Sequence, residues 1–314
     1  MAKVTVLISA YNEEHYVAAS IQSIIDQTHA DLEILVADDG SSDGTFDIIQ
    51  SFQDPRLKSF RNENQGKAAT LNFLLEHATG EYVVIQDGDD ISVPNRIQVL
   101  HECMEQNPKL GLALSGHALL IDNKPTAPRS IYRDEATCKT MIDALQLPGH
   151  DPTACIRTTI ARNFKFNSEL KVGQGVDFIF RVAEQYPIMV LEDVLYHYRV
   201  HFKSVTRSNP EKKARNLFVV MNLAKQRRQQ AEMDFDEFMS ANAQWARDPD
   251  NNLSGHFVES TFISVSNGKR GEAIRTALVA LRYISRNIRY AKPMLYALTP
   301  GFVGAMGKKL FGRG

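Results

Sequence analysis

Short apolar runs alternate with amphipathic stretches through the first third of the chain, and few architectures accept that pattern. Val4–Ser9 is continuously apolar, and Glu14–Gln27 sets Val17, Ile21, Ile24 and Ile25 at helical spacing. Glu33–Ala37 reads as a second strand and Asp43–Phe52 as a second helix. Leu57–Arg61 predicts a third strand, and Lys67–His77 a helix with Leu71, Leu74 and Leu75 on one face. Tyr82–Gln86 is a fourth strand, followed by a helix from about Asn95 to Gln106. Strands with no polar alternation are buried on both faces. The pattern therefore predicts an α/β fold, a Rossmann-like and mainly parallel sheet with helices on both faces.

Ligands of such sheets bind beyond the carboxyl ends of the strands. Ser9-Ala-Tyr-Asn12, Asp38-Asp39 and Asp87-Gly-Asp-Asp90 all fall at such ends. An Asp doublet followed by Gly and Ser is weak evidence alone, because turns and helix caps use the same residues. The second cluster carries more weight. Three acids in four residues repel one another, and a purely structural turn has no need of them. Asp-x-Asp at a strand end suits one hard divalent cation, and Mg²⁺ takes one or two carboxylates with phosphates and water. The ligand pattern of a helical calcium loop is absent, as are GxxxxGK[ST] and GxGxxG. A metal–carboxylate site without a phosphate-cradling loop suits a substrate whose diphosphate is held chiefly through the cation.

Beyond residue 110 the pattern loosens. Leu110–Ile121 predicts a strand or hairpin arm, Glu135–Leu145 a helix, and Gly149–Arg157 a loop then a strand. Gly175–Gln185 reads as a helix and Met189–Val200 as a strand. Residues 211–248 are polar and helical, and a break at 248–252 precedes further helical stretches. The main boundary is expected near 205, with a catalytic domain over 1–205 and a helical extension over 206–314.

Six ordered segments carry a resemblance: VLISAYNEEHYVAASIQSIIDQT, LVADDGSSDGT, NQGKAATLN, GEYVVIQDGDD, GVDFIFRV and YHYRVH. Together, over roughly residues 3–205, they resemble the family 2 glycosyltransferases of the GT-A fold. The resemblance implies an inverting transfer of sugar from a nucleotide-diphosphate donor, with UDP the preferred nucleotide, and a divalent metal, Mn²⁺ or Mg²⁺. It implies that Ser9, Tyr11 and Asp39 hold the nucleotide base, since a carboxylate can accept the uracil N–H and a Tyr ring can stack. Asp38 is then a turn or capping residue. Lys67 matches a position near the nucleotide and phosphates, or else a solvated helix start. Asp87 is expected near ribose and metal, Asp89 as the direct metal ligand, and Asp90 behind them. Asp177 matches the general base, a role that deprotonates the acceptor hydroxyl; N-terminal helix capping suits it equally. Where the family often shows Glu-Asp, this chain has Val176-Asp177, so Asp177 is that segment's only candidate. Arg181, one turn on, orients it or pairs with it. Arg199 and His201 match the closing segment, where Arg neutralises phosphate and His approaches the metal. His150, at the acceptor-side loop, is better read as structural. A nucleotidyltransferase shares such a site but needs a Gly- and Arg/Lys-rich phosphate loop, which AYNEEH lacks. A non-catalytic binding protein on the same scaffold is the other alternative, although Asp89 and Asp177 are both present.

The tail adds a second theme. From Lys269 onward ten Lys/Arg face one acid, Glu272, in a chain whose net charge is −1. An acidic body thus carries a basic end, where an anionic partner would dock. Residues 273–290 predict one amphipathic helix, with Ile274, Ala277, Leu281, Ile284 and Ile288 on one side. Arg275, Arg282, Arg286 and Arg289 form an adjacent stripe. This pattern reads as an anchor on an anionic membrane surface, consistent with a saccharide or lipid-linked acceptor, or as a helix packed on the catalytic domain. Nucleic acid is not expected, because no aromatic-basic module accompanies the charge. Three cysteines without metal spacing, an early charged residue and no long apolar span predict a cytoplasmic protein, peripheral at the membrane's inner face.

Overall fold

The computed structural model describes residues 3–121, 123–125, 128–199, 210–241, 257–258, 261–262, 264–265, 270–282 and 288–298. The chain divides into two compact units. The first takes in Met1–His117, Arg129–Arg199 and Arg215–Phe235; the second takes in Ala118–Pro128, Val200–Ala214 and Asp236–Gly314.

The first unit is built on the predicted alternation. Strands β1 (Val4–Ala10), β2 (Leu32–Asp38), β3 (Leu57–Arg61) and β4 (Tyr82–Asp87) alternate with helices α1 (Val17–Ile25), α2 (Thr45–Gln50) and α3 (Lys67–His77). β1 pairs in parallel with β2 and β4, and β2 with β3. Successive β1 residues serve opposite cores. Leu7 joins Leu35, Leu71, Leu74, Val83 and Ile85 on one side, whereas Val6 and Ile8 join Ile21, Ile24, Ile34 and Val84 on the other. Both faces are covered, so a continuous apolar run stabilises the strand where alternation would bury polar groups. The register sets Ser9 level with Ala37 and with Asp87, which lines up the three carboxyl-end loops.

After β5 (Ile91–Ser92) and helix α4 (Arg96–Gln106), β6 (Leu112–Ile121) begins. Helix α5 (Glu135–Asp143), a 3-10 turn at Asp151–Thr153, β8 (Cys155–Arg157), helices α6 (Thr158–Phe164) and α7 (Gln174–Ala183), and β9 (Ile188–Arg199) follow. The strand order is β3-β2-β1-β4-β8-β6-β9-β5. β8 runs antiparallel to β4 and β6, and β5 antiparallel to β9, so the sheet is parallel only in its first half. Regular helical crossovers, which parallel neighbours require, give out after α4.

Helix α1 starts at Val17 rather than at the expected Glu14. Asn12 takes φ 55°, and the amides of Glu13 and Glu14 donate to Thr45 Oγ1 (2.7 Å) and Asp43 Oδ2 (3.3 Å). Those bonds tie the segment to the neighbouring loop instead of to a helical turn. The expected helical region 211–248 resolves into α8 (Pro210–Arg227) and α9 (Phe235–Ala241), with Gln229 at φ 56° between them; 242–248 lie outside the described residues.

In the second unit β6 continues into a hairpin, Leu120 and Ile121 pairing with Pro125 and Lys124 of β7 (Lys124–Pro125). The predicted single helix over 273–290 is not what forms. α10 (Arg270–Leu281) ends in a turn at Arg282, and Ile288–Ala291 is a separate 3-10 turn leading into α11 (Lys292–Leu298). Ile284 and Arg286 lie outside the described residues. Ala273 and Ala277 pack with Ala297, flanked by Val265 and Met294. Small side chains let the two helices approach, so the buried stripe falls on alanines, while Ile274 and Ile288 of the expected stripe are exposed.

Candidate active site

The loops after β1, β2 and β4 converge as the register requires. Asp38 is a turn former: its carboxylate accepts from Ser41 N at 3.3 and 3.2 Å, with Arg61 Nε 3.5 Å away. Asp39 is buried and engaged as well. Its Oδ1 accepts from Gln65 N (3.0 Å) and Thr70 Oγ1 (2.8 Å), and its Oδ2 from Gly66 N (2.9 Å). It thereby holds the loop that opens α3 and brings Lys67 to the site. Ser9 closes the β1 pairing level with Asp87, and Tyr11 follows with 48% of its surface exposed.

Lys67 Nζ donates to Asp87 Oδ1 at 2.5 Å. Burial alone would lower this lysine, yet Asp87, Asp151 and Asp89 hold its ammonium above the ordinary value. One carboxylate oxygen from each of Asp87, Asp89 and Asp90 lies within 4.8 Å of the others. Asp90 is fully buried. Its Oδ1 accepts from Arg199 N at 2.7 Å, and burial together with the charges of Asp89 and Asp87 pushes its carboxyl well above the usual range.

Glu13, which the sequence pattern missed, completes the group. Its Oε2 is sealed from solvent without a partner among the described residues. A Cβ on Gly88 would lie 2.0 Å from that oxygen, so glycine is what lets the carboxylate nest in the Asp-Gly-Asp loop. Burial, then the charges of Asp89 and Asp87, raise it well above the usual carboxylate value. Its only sequence signal was an acid two residues beyond an exposed strand-end tyrosine. Four acids facing one lysine leave an excess of negative charge. A hard divalent cation fits such a donor set of clustered carboxylate oxygens.

Arg199 turns to the loop: Nε donates to Asp89 O at 2.6 Å, and the guanidinium lies 4.9 Å over the Tyr16 ring. His201 lies outside the described residues. Asp177 is buried in the first turn of α7, where no side chain caps the helix N-terminus. Arg181 Nε donates to its Oδ2 at 2.7 Å, and Arg227 Nη1 of α8 to its Oδ1 at 3.4 Å. Arg181 also donates to the carbonyls of Phe164 (2.5 Å) and Lys165 (2.7 Å), which ties α7 to the end of α6. His150 Nδ1 is 3.7 Å from Asp151 Oδ1, and its ring lies 4.7 Å from His117 and 4.9 Å from Tyr198.

Residues 5–170, which contain the converging loops, match the model of glycosyl transferase family 2. The chain belongs to that family. Among curated family 2 relatives it is 28% identical over 209 residues to a glycosyltransferase of Nostoc sp., covering 63% of this chain and 65% of the relative. It is 38% identical over 105 residues to the Escherichia coli UDP-Glc:alpha-D-GlcNAc-diphosphoundecaprenol beta-1,3-glucosyltransferase WfgD, covering 33% and 42%. These alignments leave at least a third of each relative's length unmatched. Among solved structures, TarS 1–349 of S. aureus in complex with UDP-GlcNAc superposes with a TM-score of 0.61 at 19% identity, over 98% of this chain and 92% of TarS. The mannosyltransferase PcManGT of Pyrobaculum calidifontis, in complex with GDP-Man and Mn²⁺, gives 0.56 at 19%, over 100% and 88%. At such identities the likeness is one of fold, and it confirms the GT-A class expected for this family 2 chain.

Proposed function

We propose that this family 2 enzyme moves a sugar, with inversion, from a nucleotide-diphosphate donor to a saccharide or lipid-linked hydroxyl acceptor in cell-surface polysaccharide or glycolipid assembly. UDP is the proposed nucleotide, in keeping with the UDP-Glc named for WfgD and the UDP-GlcNAc bound by TarS. The observation that carries the reading is the convergence of Glu13, Asp87, Asp89 and Asp90 around Lys67 at the strand ends. Asp89 and Asp87 are the residues that would hold Mn²⁺ or Mg²⁺, as Mn²⁺ accompanies GDP-Man in PcManGT. When bound, the cation supplies neutralisation of the diphosphate.

The chain's own residues account for the rest. Tyr11 offers an exposed ring for the base, and Asp39, with three of its acceptor positions filled, keeps capacity for one further donor. Lys67 places a cation beside the diphosphate's position, and Arg199 fixes the Asp-Gly-Asp loop through its backbone. The inverting step also needs a base, and Asp177, expected in that role from the sequence, has both oxygens held by guanidinium groups. The basic tail is proposed to rest on an anionic membrane surface, where a lipid-linked acceptor resides; no described helix is long and apolar enough to cross a membrane.

Calorimetric titration of UDP, GDP and dTDP, with and without Mn²⁺, tests the donor. Tightest binding of UDP is expected, at least about tenfold weaker without Mn²⁺ or in Asp89→Ala, a change of about 1.4 kcal/mol. Equal binding with and without the metal would reject the site as drawn.

A further inference from the structure

Asp151 opens the 3-10 turn Asp151–Thr153, which packs against both β4 and α7. The turn is fixed from several sides. Buried Arg96 donates to Pro152 O at 2.7 Å, Thr153 Oγ1 donates to His150 O at 2.7 Å, and Ser115 N donates to Thr153 Oγ1 at 3.2 Å. A carboxylate on such a turn has its position set by the fold.

That carboxylate fills the one place on the first turn of α7 where a side chain is missing. Gly175 is the second residue of the helix, and a Cβ there would lie 2.0 Å from Asp151 Oδ2 and 2.8 Å from Cγ. Asp151 therefore presents an acid at the position a residue of α7 would otherwise occupy, against the positive end of the helix. Its charge also reaches Lys67, which it helps to hold above the ordinary lysine value although burial pulls the other way. Lys67 in turn touches Asp87, the last residue of the β4 strand against which the Asp151 turn packs. The Asp151 side chain keeps 30% of its surface exposed, against 2% for Asp177.

We propose that Asp151 is the general base that accepts the proton of the attacking hydroxyl, and that Asp177 is a positioning residue that anchors α7 through Arg181 and Arg227. The inference rests on the transfer reading above. In the step, the acceptor oxygen bonds to the anomeric carbon as the bond from that carbon to the donor's phosphate oxygen breaks. The electron pair of the broken bond leaves on the diphosphate, and the hydroxyl proton passes to an Asp151 oxygen and then to solvent. The His150 ring lies beside Asp151, its Nδ1 3.7 Å from Oδ1, and packs tilted against His117 and edge-on against Tyr198.

The test uses the full chain with UDP-glucose, UDP-GlcNAc and GDP-mannose in turn, Mn²⁺, and water as the acceptor, read as nucleotide release. UDP binding and thermal melting are followed in parallel. Asp151→Asn and Gly175→Ala, whose new methyl displaces the carboxylate, should bind UDP within about threefold of wild type and lose release by about a hundredfold or more. Formate should restore part of the rate to Asp151→Ala, which a purely structural role would not allow. Asp177→Asn should melt at a lower temperature, and its folded fraction should keep release within about tenfold. Release by Asp151→Asn within about threefold of wild type would overturn the assignment, as would a hundredfold loss in an Asp177→Asn protein that melts normally. Wild type that binds no nucleotide with Mn²⁺, or releases none, would instead reject the transfer reading, and the inference with it.

Discussion

Lys67 is the counter-charge to Asp87 in a site where Asp89 adds negative charge and the buried carboxyls of Glu13 and Asp90 are pushed above their usual range. In the protein without metal it occupies Asp87 Oδ1, an oxygen that a cation would also seek. Two consequences oppose each other in Lys67→Met. Loss of the ammonium leaves Asp87 facing like charges, which should destabilise the metal-free protein by about 1–2 kcal/mol, or about 2–8 °C in melting temperature. The same loss removes a competitor, so Mn²⁺ should raise the melting temperature of the variant by more than that of wild type. Thermal melts of both proteins across a Mn²⁺ series check this, and equal metal shifts would mean that Lys67 and the cation do not share Asp87. The aspartates of this site were legible in the sequence because each follows an apolar run that could only be a buried strand. Glu13 and Asp151 were not. Each gains its place through a glycine distant in sequence, Gly88 and Gly175, and a close approach of that kind leaves no periodic signal. Asp39 shows the converse: its position was legible, but its bonds to Gln65, Gly66 and Thr70 depended on a loop whose path the pattern did not fix.

Among the elements, α4 does more than cover the sheet. Arg96 in its first turn is fully buried, and its guanidinium bonds Gln86 Oε1 (2.9 Å), Ser92 Oγ (2.8 Å), Ile85 O (2.9 Å) and Pro152 O (2.7 Å). It also lies 4.5 Å over the Tyr196 ring. One side chain thus joins β4, β5, β9 and the turn that bears Asp151. Burial lowers its pKa, but an arginine stays charged, and the fork geometry serves several acceptors at once. Arg96→Met should cost about 3–5 kcal/mol, because it strands buried acceptors. Arg96→Lys should recover little of that, since a compact ammonium cannot span them. Urea denaturation of the three proteins measures it, and near-wild-type stability of the lysine variant would show that charge alone suffices. Sequence reasoning saw α4 as amphipathic and left Arg96 unremarked, because an arginine on a helix is ordinarily exposed. The same limit applied to short elements. β5 has two residues and β8 three, too few to show a period, and α6 opens on Thr158-Thr159, β-branched residues that weaken a helical signal. Long strands and helices of the first half carried enough repeats for the parallel layout to be read directly.

At the scale of the whole molecule, charge is distributed unevenly along the chain, and the second unit carries the basic end. Within it, α10 and α11 pack through Ala273, Ala277 and Ala297, an economy of volume that leaves larger apolar side chains outside. Leu278 is 53% exposed, Leu295 66% and Leu298 66%, and Ile274 joins Leu278 one helical turn away. In place of the expected continuous helix stand shorter elements packed through alanines, a tertiary choice that helical periodicity cannot reveal. For the proposed membrane contact this unit offers exposed leucines, with Arg275 and Lys292 nearby in sequence and a Lys/Arg excess from 269 onward. Each basic residue near an anionic surface contributes about 1 kcal/mol, and salt screens the contribution within a Debye length of about 8 Å at physiological strength. Co-sedimentation with vesicles of phosphatidylglycerol and phosphatidylcholine should therefore retain the protein at low salt and release most of it by about 0.5 M salt. Purely zwitterionic vesicles should retain little. Leu278→Ser with Leu295→Ser should weaken retention on the anionic vesicles by about tenfold while UDP binding stays unchanged, because burying two leucines contributes roughly 1.5–3 kcal/mol each when complete. Retention that ignores both salt and lipid charge would rule out electrostatic docking, and no retention at low salt would leave the exposed leucines to another partner.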